Sequence, residues 1–284
     1  TAESGDVDTI GVMVKECKRM GIEVLPPSIN ESFSQFSVIK DDGGPYKIRF
    51  GLTTIKNFGQ GISSAITAER KAHGKFKSLA DFLDRIKDKN LNKKSVEALI
   101  KSGALDEFEE RGVLLANLDM LLHYHKERLG AADNQESLFG LMPGSDALPA
   151  LLLSSVQAIS QKEKLAWEKE LLGLYISGHP LEAYKEKLMS KEGNIAKLAD
   201  APEGAVAVIG GMVAEARDVL TKNNERMVFM KLADLSGSIE VAIFPRVLTE
   251  FKEFVHTDAC IAIKGKVSKR KGETSFIAEK IKAL

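Results

Sequence analysis

The spacing of apolar side chains changes character along this chain. From Asp8, the residues Ile10, Met13, Val14 and Cys17 recur at i, i+3, i+4 and i+7, which predicts an amphipathic helix stopping near Gly21. Pro26-Pro27 forbids helix, and the stretch to Asp41-Asp42-Gly43-Gly44 reads as loop with short extended pieces. Between Phe50 and Phe108 short helices alternate with glycines. Gly59-Gln60-Gly61 divides one pair, whose second member covers 62–71; Ser78 caps a helix over 79–86, and Asn92 caps another that ends at Gly103. A longer helix carries Leu114, Leu118, Leu121 and Leu122 on one face and stops at Gly130. Residues 130–149 lose periodicity and gain Gly, Pro, Ser and Asp, the pattern of a flexible linker. Ser160-Gln161-Lys162-Glu163 is a capping box opening a helix through Trp167 and Leu172, with Gly178-His179-Pro180 as its stop.

After Pro202 the period drops from 3.6 to 2. Val206 and Val208 predict a first strand; Val228, Met230 and Leu232 a second; Ile239, Val241 and Ile243 a third. A short helix over 246–254 precedes Ile261, Ile263 and Val267, and a last strand covers 274–281. Five strands with a helix between the third and fourth are the order of an OB-fold barrel. The fold class is therefore multidomain α+β: a small all-α region, a helical linker, then a five-stranded barrel.

Composition narrows the function little. The 284 residues include 40 Lys plus Arg and 40 Asp plus Glu, so any nucleic-acid footprint must be local. Cys17 and Cys260 are distant and follow no metal spacing, which excludes a disulfide scaffold and fits a reducing cytoplasm. Neither a membrane span nor an export signal is legible, so no membrane is expected among the partners. The polar start at Thr1 reads as a piece cut from a longer protein.

Local charge is more telling. Cys260 to Leu284 holds seven basic and two acidic residues, a surplus of +5. Strict alternation turns Phe229, Lys231, Phe244, Lys264 and Lys266 outward, where rings stack bases and ammonium groups neutralise phosphates. The turn Lys269-Arg270-Lys271 lies between strands four and five. The 218–226 loop, with Lys222 and Arg226, joins strands one and two; OB-folds use both loops for oligonucleotides. The bland alternative is a solvated face with the aromatics covered by a neighbouring domain.

In the glycine segment, Lys56 and Asn57 precede Gly59-Gln60-Gly61 and a new helix starts at once. Glycines admit positive φ and close approach, and a helix N-terminus offers unpaired N–H groups to phosphate. This is the helix-hairpin-helix pattern, which grips duplex backbone without reading bases. A simple corner is the plain alternative. Within the linker, Gln135, Ser137, Leu138 and Phe139 form a peptide whose adjacent Leu and Phe suit a partner's pocket, or else fold back on their own helices. Asp6 and Asp8 read as a helix cap rather than a metal pair. His123 and His125 face different ways, His179 is a helix-end contact, and both cysteines are core. Nothing here builds an active site.

Longer stretches resemble a known family. Residues 16–32 (ECKRMGIEVLPPSINES), 48–57 (IRFGLTTIKN) and 172–181 (LGLYISGHPL) are similar, in family order, to the C-terminal portion of the bacterial DNA polymerase III alpha subunits, replicative C-family polymerases. The resemblance implies the end of a fingers domain at 1–35, a helix-hairpin-helix DNA-binding region at 36–129 and a linker with a sliding-clamp-binding peptide at 130–149. A helical connector at 150–200 and the OB-fold at 201–284 complete it. It further implies that Gln135, Leu138 and Phe139 dock on the sliding clamp, and that duplex and single-stranded template DNA and other holoenzyme subunits are partners at the replication fork. The catalytic aspartates and their Mg2+ would belong to a palm domain upstream of Thr1, leaving this stretch with no cofactor and no polymerising activity of its own. The second helix pair, at Asn90–Ser95 in sequence, lacks the Gly-x-Gly turn, which argues against phosphate gripping there despite Lys93 and Lys94. Rival readings are a stand-alone single-stranded DNA or RNA-binding OB-fold protein, and a protein-interaction module.

Overall fold

A computed structural model describes residues 7–40, 44–133, 151–189, 194–270 and 273–284. The chain divides into two compact units after Gly178. The Gln135–Phe139 peptide, Asp6 and Lys271 lie outside the described residues.

In the first unit, α1 (Val7–Arg19) buries Ile10 and Val14, as its apolar spacing requires. A small sheet brackets the double proline, with β2 (Ser37–Lys40) among the short extended pieces expected there: β1 (Val24–Leu25), before the prolines, pairs parallel with β3 (Tyr46–Arg49), which pairs antiparallel with β2. Arg49 fastens it by donating to the Pro26 carbonyl at 2.9 Å and to Glu31. The helices α2 (Gln60–His73), α3 (Leu79–Arg85), α4 (Lys93–Ser102), α5 (Arg111–Ala116), α6 (Leu118–Asp133) and α7 (Gln161–Leu172) surround one core containing Phe50, Leu52, Phe76, Phe82, Leu99 and Leu121. Each such side chain, fully buried, contributes roughly 1.5–3 kcal/mol before ordering costs.

Three helix boundaries differ from expectation. The helix expected before the glycine turn is a single 3₁₀ turn at Leu52–Thr54. The long leucine helix is two, broken at Asn117, and Gly130 lies inside the second. Asn117 is buried. Its amide donates to the Val113 and Ser154 carbonyls and accepts from Ser154 N–H, so a side chain redirects the backbone while Leu114, Leu118 and Leu121 still share the core. Finally, α7 ends at Leu172, because Gly173 takes the left-handed conformation (φ 76°) and caps it before Gly178 is reached.

The second unit begins with a 3₁₀ turn at Pro180–Tyr184, for which His179 Nδ1 accepts from Leu181 N–H, and α8 (Lys185–Met189). Then come β4 (Val206–Leu220), β5 (Arg226–Ala233), β6 (Ser238–Ile243), α9 (Pro245–Phe251), β7 (Cys260–Arg270) and β8 (Glu273–Ala283). The strands close a barrel in the order β4-β5-β6-β8-β7. Ile209, Val213, Met230, Val241, Ile263 and Phe276 fill it. Closure leaves no sheet edge among these strands to recruit another chain. The stretch 150–200 thus serves both units: α7 packs with the first core, whereas Ile195 and Leu198 join the barrel's.

Candidate nucleic-acid interface

At the glycine turn, the left-handed residue is Asn57 (φ 70°), not a glycine. Gly59 is extended (φ −86°, ψ 159°) and is the N-cap of α2 without any side-chain cap bond; Gly61 sits in the first helical turn. The expectation that the glycines supply positive φ is therefore corrected. What they supply is room: a Cβ at Gly59 would meet nothing within 4 Å, and one at Gly61 would meet only Asn90 Nδ2, at 3.6 Å. Neither glycine is demanded by the fold's own packing. Lys56, Asn57, Gly59, Gln60 and Gly61 are all exposed, while Ile55, Phe58 and Ile62 anchor the turn below. An uncapped helix start with bare backbone and a nearby ammonium is a seat for phosphate.

The second hairpin is built differently. Asn92 and Ser95 form a reciprocal capping box over the start of α4, and Lys93 is ion-paired with Asp119 at 2.8 Å. Its helix start is thereby satisfied internally. Its turn nevertheless lies beside the first one. An open cleft runs between α2 and this turn, lined by Ala65, Ala68 and Ala72 with the cations Arg85, Lys87 and Lys89 and the carboxylates Glu69 and Asp88. Sequence reasoning passed over Lys87 and Lys89, although the run KDKNLNKK at 87–94 is itself a basic signal.

On the barrel, the expected set of residues separates into two faces. Phe229 lies in register between Arg217 of β4 and Ala242 of β6, and Lys231 between Glu215 and Glu240. Phe229 is half-buried, Lys231 exposed, and Phe244, which is the N-cap of α9, is 41% exposed. Arg217 pairs with Glu215 at 3.2 Å and reaches Glu240 at 3.8 Å, so this face is nearly neutral. In the adjacent loop Lys222 is exposed, but Arg226 clamps Asp218 through two bonds of 2.6 and 2.8 Å. The bound guanidinium holds the Asp218 carboxyl below its usual range. Lys264 and Lys266 belong to β7, which shares no ladder with β5 or β6. The basic surplus and the aromatics, adjacent in expectation, are thus on different sides. Lys269 is exposed near the β7–β8 turn with its backbone N–H donated to Glu203, and Arg270 is in register with Glu273.

Of the discounted residues, Cys17 and Cys260, expected in the core, are half-buried instead, and His123 is exposed beside Glu127. His125 is buried with Nδ1 2.9 Å from the Leu83 carbonyl, and among the described residues no cluster of His, Cys, Asp and Glu could hold a metal. No helix among them is long and apolar enough to cross a membrane.

Residues 21–113 match the model of the helix-hairpin-helix motif, and 207–284 that of the OB-fold nucleic acid binding domain. Over 99% of its length the chain is 33% identical to DNA polymerase III subunit alpha of Borreliella burgdorferi, and over 89% it is 34% identical to that of Aquifex aeolicus. The chain belongs to the DNA polymerase III alpha family over the region it covers. It spans about a quarter of the Borreliella subunit (24%) and a fifth of the Aquifex one (20%). A mitochondrial single-stranded DNA binding protein from S. cerevisiae is also similar, at 16% identity and TM-score 0.25, covering 29% of this chain and 97% of that one. The segment 172–181 has a physical reading within this chain: Gly173 caps α7, Ile176 and Ser177 N–H groups donate to Glu168, and His179 with Pro180 starts the next turn.

Proposed function

We propose that this chain is a non-catalytic holding region of a bacterial replicative DNA polymerase, working in the cytoplasm at the replication fork. It grips duplex backbone with the α2 hairpin, meets the single-stranded template with the β5–β6 side of the barrel, and tethers the enzyme to its sliding clamp. Lys56, Asn57, Gly59, Gln60 and Gly61 take the duplex; Phe229, Lys231, Phe244, Lys222 and the Lys269–Lys271 turn take the single strand. Gln135, Ser137, Leu138 and Phe139 take the clamp. Polymerisation and its Mg2+ are assigned to the whole subunit's palm domain, and other holoenzyme subunits would contact the whole protein. One observation carries this reading most: the start of α2 is uncapped, exposed and bare of side-chain neighbours at Gly59, beside Lys56.

Tethering would raise the local concentration of polymerase at the primer end, so a modest peptide contact suffices for processivity. The test is binding of the full chain to an immobilised bacterial sliding clamp and to duplex DNA. Leu138→Ala with Phe139→Ala is expected to weaken clamp binding by about tenfold or more, as removal of anchor side chains does, leaving duplex affinity unchanged. Undiminished clamp binding by that variant would remove the tether from the account.

A further inference from the structure

The side of the barrel formed by β4, β7 and β8 carries the chain's basic surplus, and its chemistry differs from that of the β5–β6 side. In β4, Val206 and Val208 point outward and are 57% and 43% exposed. They lie in register with Lys266 and Lys264 of β7, and Lys264 in turn with Lys280 of β8; Lys282 follows on the same side. Glu279 pairs with Lys266 at 2.9 Å, but Lys264, Lys280 and Lys282 have no ion-pair partner among the described residues. Two lysines directly opposite across strands repel one another and cost stability. A sheet that keeps such a pair exposed, beside aliphatic side chains, departs from the local consistency that folding alone favours. Next to them α8 packs over Gly210, leaving a cavity of about 280 Å³ whose mostly aliphatic lining includes Leu188, Val208, Ala262 and Leu284, together with Lys187 and Lys282. A dry cavity of roughly 150 Å³ already accepts a benzene ring, so this one has room for an aliphatic side chain.

We propose that this face docks an acidic amphipathic helix of a partner protein, which inserts an aliphatic side chain into the cavity and sets carboxylates over Lys264, Lys280 and Lys282. Charge complementarity selects the acidic flank. The aliphatic lining selects a protein over a nucleic acid, since none of the outward residues just named is aromatic and bases need rings to stack upon. Barrel closure leaves no strand edge to pair with, so the partner engages through side chains, as helices do in grooves. This inference is independent of the assignment of single-stranded template to Phe229 and Lys231.

The test uses the full chain and a fluorescein-labelled peptide with leucines at i, i+4 and i+7 and glutamates on both flanks, followed by fluorescence anisotropy. Lys280→Glu with Lys282→Glu leaves Lys264 facing an opposite charge, so this variant retains its melting temperature. The wild type binds the peptide, and that variant and Val208→Glu each bind it about tenfold more weakly or worse, whereas Lys231→Glu on the other side binds normally. A 20-residue oligothymidylate is the control, with affinity altered less than threefold by Val208→Glu. Failure of the wild type to bind the peptide at millimolar concentration overturns the proposal. So does equal binding by the variants. A tenfold loss of oligothymidylate affinity in Val208→Glu would make the face a nucleic-acid track instead.

Discussion

Arg111 and Glu168 meet at 3.1 Å with the arginine side chain 2% exposed and the glutamate fully buried. The guanidinium also takes both Asp106 oxygens and the Lys101 carbonyl, while the second Glu168 oxygen accepts from Ile176 and Ser177 N–H at 3.0 Å each. One buried cluster therefore joins α4, α5, α7 and the segment leading out of the first unit. Removing one partner strands a charge away from water. Arg111→Ala and Glu168→Ala are each expected to cost about 3–5 kcal/mol in urea denaturation followed at Trp167. Replacing both with Met and Leu should recover a large part of that. A cost below about 1 kcal/mol for either single change would show the pair to be incidental.

Gly103 belongs to the same cluster. It holds φ at 82°, and a Cβ there would run into the Arg111 guanidinium. Gly103→Ala thus combines left-handed strain of about 1–2 kcal/mol with displacement of Arg111. It should destabilise the first unit more than Gly59→Ala, which meets no neighbour and has an ordinary backbone. Thermal melts of the two variants side by side make the comparison.

At the proposed duplex site, binding and folding can be separated. Gly59→Val and Gly61→Val fill space that only a partner would use, so melting should change little while duplex affinity falls about tenfold or more. Normal duplex binding by the double variant would reduce the turn to a corner.

Acid sensitivity is expected at the start of α5. Burial tends to raise the Glu110 carboxyl, but the Lys164 ammonium at 3.0 Å and the Gly112 and Val113 N–H groups outweigh it, and the carboxyl titrates below its usual range. A carboxylate depressed in the folded state contributes above its unfolded value of about 4.3 and loses that contribution as pH falls through the folded value. Glu110→Gln should therefore lower stability by about 0.5–2 kcal/mol at pH 7, by losing the charged cap, and shrink the drop in stability between pH 5 and 3. An unchanged acid limb would assign that drop to other groups.

Much of this architecture was legible because local chemistry and global packing agree. Ser78, Asn92 and Ser160 cap where their residue types and spacing say they should, and Val228, Met230, Leu232 and Ile239, Val241, Ile243 alternate into the barrel. The misses arose where a long-range bond overrode periodicity. Asn117 breaks a leucine-spaced helix through Ser154, 37 residues away, a contact no local window contains. Summing charge along 260–284 also hid the geometry: alternation says in or out of a barrel, but not which outward face. Lys264 and Phe229 are both outward, yet their strands are never paired.

On the β5–β6 side, Phe229→Ala should weaken single-stranded DNA binding by about 1–3 kcal/mol, the worth of one base stacked on a ring, without touching duplex affinity. Loss of both affinities together would mean that the variant disturbs the barrel.

The most direct measurement is the affinity of the full chain for a primer–template duplex with a single-stranded overhang, titrated across salt. Contact through phosphates predicts a steep log-linear fall with rising salt. The slope should become shallower in Gly59→Val/Gly61→Val, and Phe229→Ala should remove only the advantage conferred by the overhang. An affinity indifferent to salt, and unmoved by either variant, would contradict a chain that holds nucleic acid by its backbone.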